Sequence, residues 1–335
     1  MTLLLGDADV QAVFGWRPAI AALRAAYAAT GDNTGGGAFD HGVRYPARSV
    51  ARGDHGWLRV LSGVPGDGGL MGAKIIAAAP GARQVSYLIA LFDQQSAELT
   101  ALVDGNAITG YRTAATSALA ADLLAVPGPL TVAVLGSGFE ARKHLRAVAA
   151  VRDLAAVSVY SPRAESRRRL AADLADLGIP ITPAASPDAA VAGAHLVICA
   201  ARSHDETPVL LGRWLEPGTT VVSVGSTVPE QREIDPEAIG RAEVIVADVV
   251  TEVVRDTGDF IAARAAGVTA DDRVTSLAGL VSGQAPGRAT PEQVVLYKSV
   301  GSAVQDLAVA GACASAAAAA GLGTRFPVPV DVIRK

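Results

Sequence analysis

Residues 130–145, LTVAVLGSGFEARKHL, constrain the fold more than any other stretch of the chain. A short β-branched run ends at Gly136 and Gly138, and Ala141 follows just as a helical pattern begins. In this G-x-G-x-x-A spacing the first glycine permits a tight turn and the second lets an anionic group reach the backbone. The third position needs a small side chain so that helix and strand can touch. The start of the helix adds amide N–H groups and a positive dipole end. Gly136, Ser137, Gly138, Phe139, Glu140 and Ala141 therefore form a candidate cradle for the pyrophosphate of a dinucleotide.

Taken alone such a turn is a weak signal, but here it opens a long alternation. TVAVL (131–135), AVSVYS (156–161), IPIT, HLVICAA (195–201), TTVVSVGS (219–226) and AEVIVAD (242–248) read as six strands. Helical stretches separate them, among them ESRRRLAADLADLG, which ends at Gly178. Apolar strands alternating with helices predict a parallel sheet covered on both faces, a doubly wound α/β Rossmann domain. At the end of the second strand, where an NAD site places a carboxylate, stand Tyr160, Ser161, Pro162 and Arg163. No acid is there to accept from ribose hydroxyls, and an arginine can hold a 2′-phosphate. NADP(H) is therefore favoured, with NAD(H) the alternative. The plainer reading of Arg163 and the Arg167–Arg169 run is the solvated start of a helix.

The first 125 residues differ. YPARSVARG, GWLRVLSGVPG, MGAKIIAAAPG, SYLIALFD and ELTALVDGN are strand-like runs between turns, after a helix at about 18–30. They predict an antiparallel or mixed sheet in an α+β domain, with GDNTGGGAFD (31–40) as a loop. The last 40 residues read as helix after Pro291, with no strand to extend the nucleotide domain. That final helix is expected to pack back on the first domain. The expected division is 1–117 with 297–335, and 118–296. A chain of 335 residues suits two cores better than one.

Net charge of −4 without long charge runs argues against nucleic acid as a partner. Cys199 and Cys313 stand far apart, which supports neither a disulfide framework nor a zinc site and fits a reducing cytoplasm. MTLLLGDADV lacks the basic lead of a signal peptide. LAVAGACASAAAAAGLG (307–323) approaches the length of a membrane span, but alanine adds little hydropathy and no belt flanks it. A closely packed soluble helix is the expectation, and no membrane partner.

Three cations break apolar or strand-like surroundings. Lys74 interrupts MGAKIIAAA, where a lysine is costly unless it faces a polar cavity. Arg48 lies in YPARSV, and Arg112 and Thr113 sit where a helix is expected to start, after a possible hairpin turn at Asp104–Gly105. Each alone reads as a surface cation. Together they suit a carboxylate-bearing substrate.

VDGNAITGYRTAATSALAA, VLGSGFEARKHL, VVSVGSTVPEQREID and YKSVGSAVQDLAVAG resemble, in order and over roughly residues 40 to 311, the ornithine cyclodeaminase/μ-crystallin family. The resemblance implies a Rossmann domain beside a substrate and dimerisation domain, hence a homodimer. It further implies that Arg48 and Arg112 bind the substrate carboxylate and that Lys74 is the active-site lysine. Cyclising members carry an aspartate after the V-G-x of the fifth strand, and Thr227 stands here. A threonine is no carboxylate base, so the chain resembles the imine reductases of the family. Ser226, Thr227 and Thr113 join the expected cofactor residues. The expected activity is NAD(P)H-dependent reduction of a C=N bond beside a carboxylate, by an imine reductase or amino-acid dehydrogenase. An ornithine-type lyase and a non-catalytic NADPH-binding protein are the alternatives.

Overall fold

The computed structural model describes residues 1–30, 44–201, 207–327 and 332–333, so the expected loop at 31–40 lies outside the described residues. The chain divides into two compact units, Met1–Arg112 with Gly301–Lys335, and Thr113–Val300.

In the first unit, strand β1 (Thr2–Leu5) precedes helices α1 (Asp7–Val13) and α2 (Trp16–Thr30). Strands β2 (Ser49–Arg52), β3 (Trp57–Gly63), β4 (Leu70–Ala79), β5 (Gln84–Asp93) and β6 (Leu99–Asp104) follow. The sheet runs Thr324–Phe326, β1, β6, β5, β4, β3, β2. It is mixed, because β1 lies parallel to β6 while its other pairings are antiparallel. Register sets Leu61 opposite Lys74 and Lys74 opposite Ile89, so these three share one face. All three are buried there, with Ile76 and Leu91. The C-terminal helix Ala303–Ala320 packs on the sheet and on α2, whose Ile20, Leu23 and Tyr27 are buried at helical spacing. By length and composition that helix is apolar enough to cross a bilayer. In this unit it instead buries Gln305 and Asp306 in its first turn. The opposite face of the sheet presents Leu58 and Leu88, 43% and 40% exposed.

Helix α3 (Gly105–Leu124) starts directly after β6, so Asp104–Gly105 is a strand–helix junction and not a hairpin turn. Asp104 Oδ1 accepts from Asn106 N at 2.8 Å, the local capping that starts the helix. Arg112 and Thr113 consequently lie two turns inside α3, not at its start.

The second unit holds a wholly parallel sheet of eight strands. They are β7 (Leu130–Leu135), β8 (Leu154–Tyr160), β9 (Ile181–Pro183), β10 (Leu196–Cys199), β11 (Thr220–Ser223), β12 (Val244–Ala247), β13 (Val274–Ser276) and β14 (Val295–Lys298). Helices α4 (Phe139–Ala149), α5 (Ala164–Asp173), α6 (Pro187–Val191), α7 (Pro236–Arg241), α8 (Val250–Asp256), α9 (Gly258–Ala265) and α10 (Leu277–Ser282) connect them. The doubly wound expectation holds, but the sheet is larger than the six strands read from sequence. The order is β13, β12, β14, β11, β10, β7, β8, β9. The region after Pro291 therefore does extend the nucleotide domain: β14 enters the middle of the sheet, between β11 and β12. Its terminal lysine disguises it in sequence, and that lysine's charge is met inside the fold. From β7 the chain winds one way through β8 and β9 and the other way through β10 and β11. The carboxyl ends of β7 and β10 are thus the switch point at which doubly wound sheets receive ligands.

Candidate active site

At the end of β7, Gly136 has φ +122°, a conformation that L side chains rarely adopt. A Cβ there would also stand 2.5 Å from the Ala200 carbonyl oxygen at the end of β10. Gly138 caps α4 with no side-chain hydrogen bond, and no atom lies within 4 Å of where its Cβ would be. The result is an open cradle in front of helix N–H groups, as a pyrophosphate requires. Ala141 is fully buried, so the third motif position serves close helix–strand contact. Phe139 is 56% exposed and Glu140 sits in the first turn, its carbonyl facing His144 Nδ1 at 2.7 Å. His144 Nε2 lies 3.0 Å from Ser117 Oγ, and burial lowers its pKa to about 4, so the imidazole is neutral.

Ser161 lies at the carboxyl end of β8. Ser137 Oγ donates to Ser161 Oγ at 2.8 Å, and Arg167 Nη1 donates to the Ser161 carbonyl at 2.8 Å while its guanidinium covers the Tyr160 ring. Arg163 is the N-cap residue of α5. Among these residues no carboxylate stands at the end of β8. Arg142, absent from the sequence-based set, ties the cradle to α5: it donates to the Ser137 carbonyl at 2.7 Å and pairs with Asp173 at 2.8 Å. Ser226 and Thr227 follow β11. Ser226 is buried and its hydroxyl donates to the Gln231 carbonyl, while Thr227 is half-buried. Thr113 is half-buried within α3.

The first unit brings its three cations together. Lys74, on β4, places Nζ 2.7 Å from Asp306 Oδ1 on the C-terminal helix. Arg112 Nε stands 3.0 Å from the same oxygen, and Arg112 Nη1 donates to Gln305 Oε1. Gln305 Nε2 in turn donates to the buried Tyr27 hydroxyl at 2.9 Å. Arg48 Nη2 donates to the Gly301 carbonyl at 3.0 Å. Gly301 has φ +84°, and a Cβ there would come 2.5 Å from Arg112 Nη1. Burial, with the repulsion of Arg112 and Arg48, lowers the Lys74 pKa to about 8 against the pull of Asp306. Among the described residues, Asp306 is the carboxylate that Lys74 and Arg112 meet, and such a cluster of cations suits an anionic group.

Sequence reasoning missed Asp306 and Gln305. The available signal was a carboxylate and an amide at the head of the otherwise apolar run AVQDLAVAG, the same signal that exposed Lys74. It also missed Glu233, Asp259 and Lys298, all fully buried in the second unit. Among the described residues no cluster is suited to a metal ion.

The family model for the ornithine cyclodeaminase/mu-crystallin family matches residues 22–319. Among relatives, the iminosuccinate reductase of Paracoccus denitrificans is 32% identical over 66% of this chain and 68% of its own length. The ketimine reductase mu-crystallin of Mus musculus is 29% identical over 81% of this chain and 84% of its own. Among solved structures, Thermococcus litoralis Δ1-pyrroline-2-carboxylate reductase in complex with NADH and L-proline superposes with a TM-score of 0.86. The identity there is 26%, covering 97% of this chain and all of that one. The relatives named as reductases define a class of NAD(P)-dependent oxidoreductases. Within it, this chain belongs to the ornithine cyclodeaminase/mu-crystallin family.

Proposed function

We propose that this protein reduces a C=N bond adjacent to a carboxylate, with NAD(P)H as the hydride source. The observation that carries the reading is the convergence of Arg48, Lys74 and Arg112 around Asp306 and Gly301, in a chain that also bears an open pyrophosphate cradle. Arg48 and Arg112 hold the carboxylate of a small, amino-acid-like imine, and fixing the imine carbon supplies much of the rate. Lys74, its pKa brought near 8, donates a proton to the imine nitrogen as the carbon accepts hydride. Gly136 to Ala141 would hold the pyrophosphate of the nicotinamide cofactor, which would supply that hydride. Thr227, where a cyclising enzyme needs a carboxylate, supports reduction over deamination.

Ser161, Arg163 and Arg167, with no carboxylate at the end of β8 itself, support NADP(H) over NAD(H) at the ribose. The sheet face carrying Leu58 and Leu88 supports pairing of the first unit with a second copy, which makes the protein a homodimer. The test is oxidation of NADPH and NADH over a panel of cyclic imine carboxylates and of 2-oxo acids with ammonia or methylamine. Turnover of at least one imine is expected. Silence across the panel, with ornithine converted to proline and ammonia, would replace this reading with the lyase.

A further inference from the structure

Glu233 is fully buried between β11 and α7, and the donors around it are fixed by chemistry. Lys298 Nζ pairs with Asp259 Oδ2 at 2.7 Å and donates to Ser223 Oγ at 2.9 Å. An ammonium only donates, so the Ser223 hydroxyl must turn its own proton toward Glu233 Oε2, 2.7 Å away. The same oxygen accepts from Gly225 N at 2.8 Å, and Oε1 accepts from Ala201 N at 3.1 Å. Asp259 Oδ1 fixes the segment itself, accepting from the backbone N–H of Glu233 at 2.7 Å and of Ile234 at 3.1 Å. A carboxylate satisfies these donors. A protonated acid would set one O–H among them without an acceptor.

One side chain thereby ties the carboxyl ends of two neighbouring strands. Ala201 follows β10 and Gly225 follows β11, and a Cβ on Gly225 would strike both Glu233 Oε1 and the Ala201 carbonyl. The preceding Ala200 carbonyl is the atom that leaves Gly136 no room for a side chain. With the ribose-recognising residues on the β8 side of the cradle, the other half of a dinucleotide runs toward β10 and β11.

We propose that Glu233 is a positioning residue for the nicotinamide half of the cofactor, a buried carboxylate that spaces the carboxyl ends of β10 and β11 while it is ionised. This rests on the functional reading above. Burial raises its pKa to about 7, with repulsion from Asp259 adding to burial and Lys298, Ser223 and Gly225 N–H opposing it. The remaining titratable neighbour among the described residues, Cys199 on β10, is fully buried and its pKa is raised well above the ordinary thiol value, so it stays neutral. As pH falls through about 7, Glu233 takes up a proton and its hold on the two strand ends weakens.

The experiment compares the full-length parent with Glu233→Gln and Ser223→Ala. It reads NADPH and NADH Kd by fluorescence, and kcat and KM for the imine across pH 5.5–9. In the parent an acid limb near pH 7 is expected. Glu233→Gln should abolish that limb, raise the cofactor Kd and lower kcat about tenfold or more, since small misplacement of reacting groups is costly. Ser223→Ala removes a hydrogen bond that favours the carboxylate, so the limb should move to higher pH. A folded Glu233→Gln with parental Kd, kcat and pH profile overturns the proposal. If that variant does not fold, Ser223→Ala decides: an unmoved limb overturns the proposal and a raised limb supports it. A parent that neither binds nor oxidises NADPH or NADH refutes the functional reading itself, and the proposal with it.

Discussion

Lys74 Nζ lies 2.7 Å from Asp306 Oδ1, with the two side chains 1% and 0% exposed. The carboxylate is the attraction that keeps the lysine's pKa from falling below about 8. Asp306→Asn should therefore lower the Lys74 pKa further. If the ammonium form donates the proton, activity falls on the alkaline side as pH rises through that value. The alkaline limb should begin near pH 8 in the parent and at lower pH in the variant. Stability should drop by roughly 3–5 kcal/mol, the usual cost of stripping one member from a buried pair. A pH profile of kcat/KM checks the first effect and urea denaturation the second.

Arg112→Lys keeps the charge but cannot meet both Gln305 and Asp306 with the planar guanidinium geometry. The expected outcome is a rise in KM for the imine with a fall in kcat, on the order of 10²-fold in kcat/KM. Arg112→Met should be worse. Cofactor Kd should change far less in both, because the cradle Gly136–Ala141 belongs to the other unit. Near-parental kcat/KM in Arg112→Met would remove Arg112 from the carboxylate site.

Ser161→Asp introduces a carboxylate at the end of β8, where it accepts from ribose hydroxyls and repels a 2′-phosphate. The ratio of kcat/KM for NADPH over NADH should fall by about 10- to 100-fold, equivalent to roughly 1–3 kcal/mol for a charge-assisted contact. An unchanged ratio places ribose recognition elsewhere.

The neutral His144 makes acid stability measurable. Its folded pKa of about 4 lies below the unfolded value near 6.5, so the native state binds fewer protons. The stabilisation is complete above about pH 6.5 and is lost progressively as pH falls toward 4. Its size is on the order of 3 kcal/mol for a shift this large. Thermal denaturation of the parent and His144→Gln between pH 4 and 7 should show the parent losing more of its Tm on acidification.

Leu58→Glu with Leu88→Glu places two charges on the open sheet face, at positions 43% and 40% exposed. Light scattering at micromolar concentration should find a dimer for the parent and a folded monomer for the double variant. A parent already monomeric rejects the homodimer.

The nucleotide unit was readable because a parallel sheet buried on both faces writes its strands as continuous apolar runs, and β7, β10 and β11 are such runs. Strand β14 escaped that test because its four residues end in Lys298, whose charge is compensated by Asp259 from 39 positions upstream in sequence. The helix start at Gly105 was hidden for a different reason. Asp-Gly is a good turn by local chemistry, and whether it opens a hairpin or a helix depends on which capping bond forms. Lys74 announced itself as a charge in an apolar run, and its partner Asp306 carried the same mark on the C-terminal helix. Pairing them needed the fold, because nothing in local spacing links residues 232 positions apart.

Gly301 gives the cation cluster an unusual hereditary fragility. Every amino-acid replacement at that position adds a Cβ into the space of the Arg112 guanidinium, on a backbone set at φ +84°. A lineage can lose the arginine's geometry without touching the arginine, through a residue that contributes no side chain of its own. Variant catalogues scored by chemistry at the site would pass over position 301; scored by the room it leaves, it ranks with Arg112.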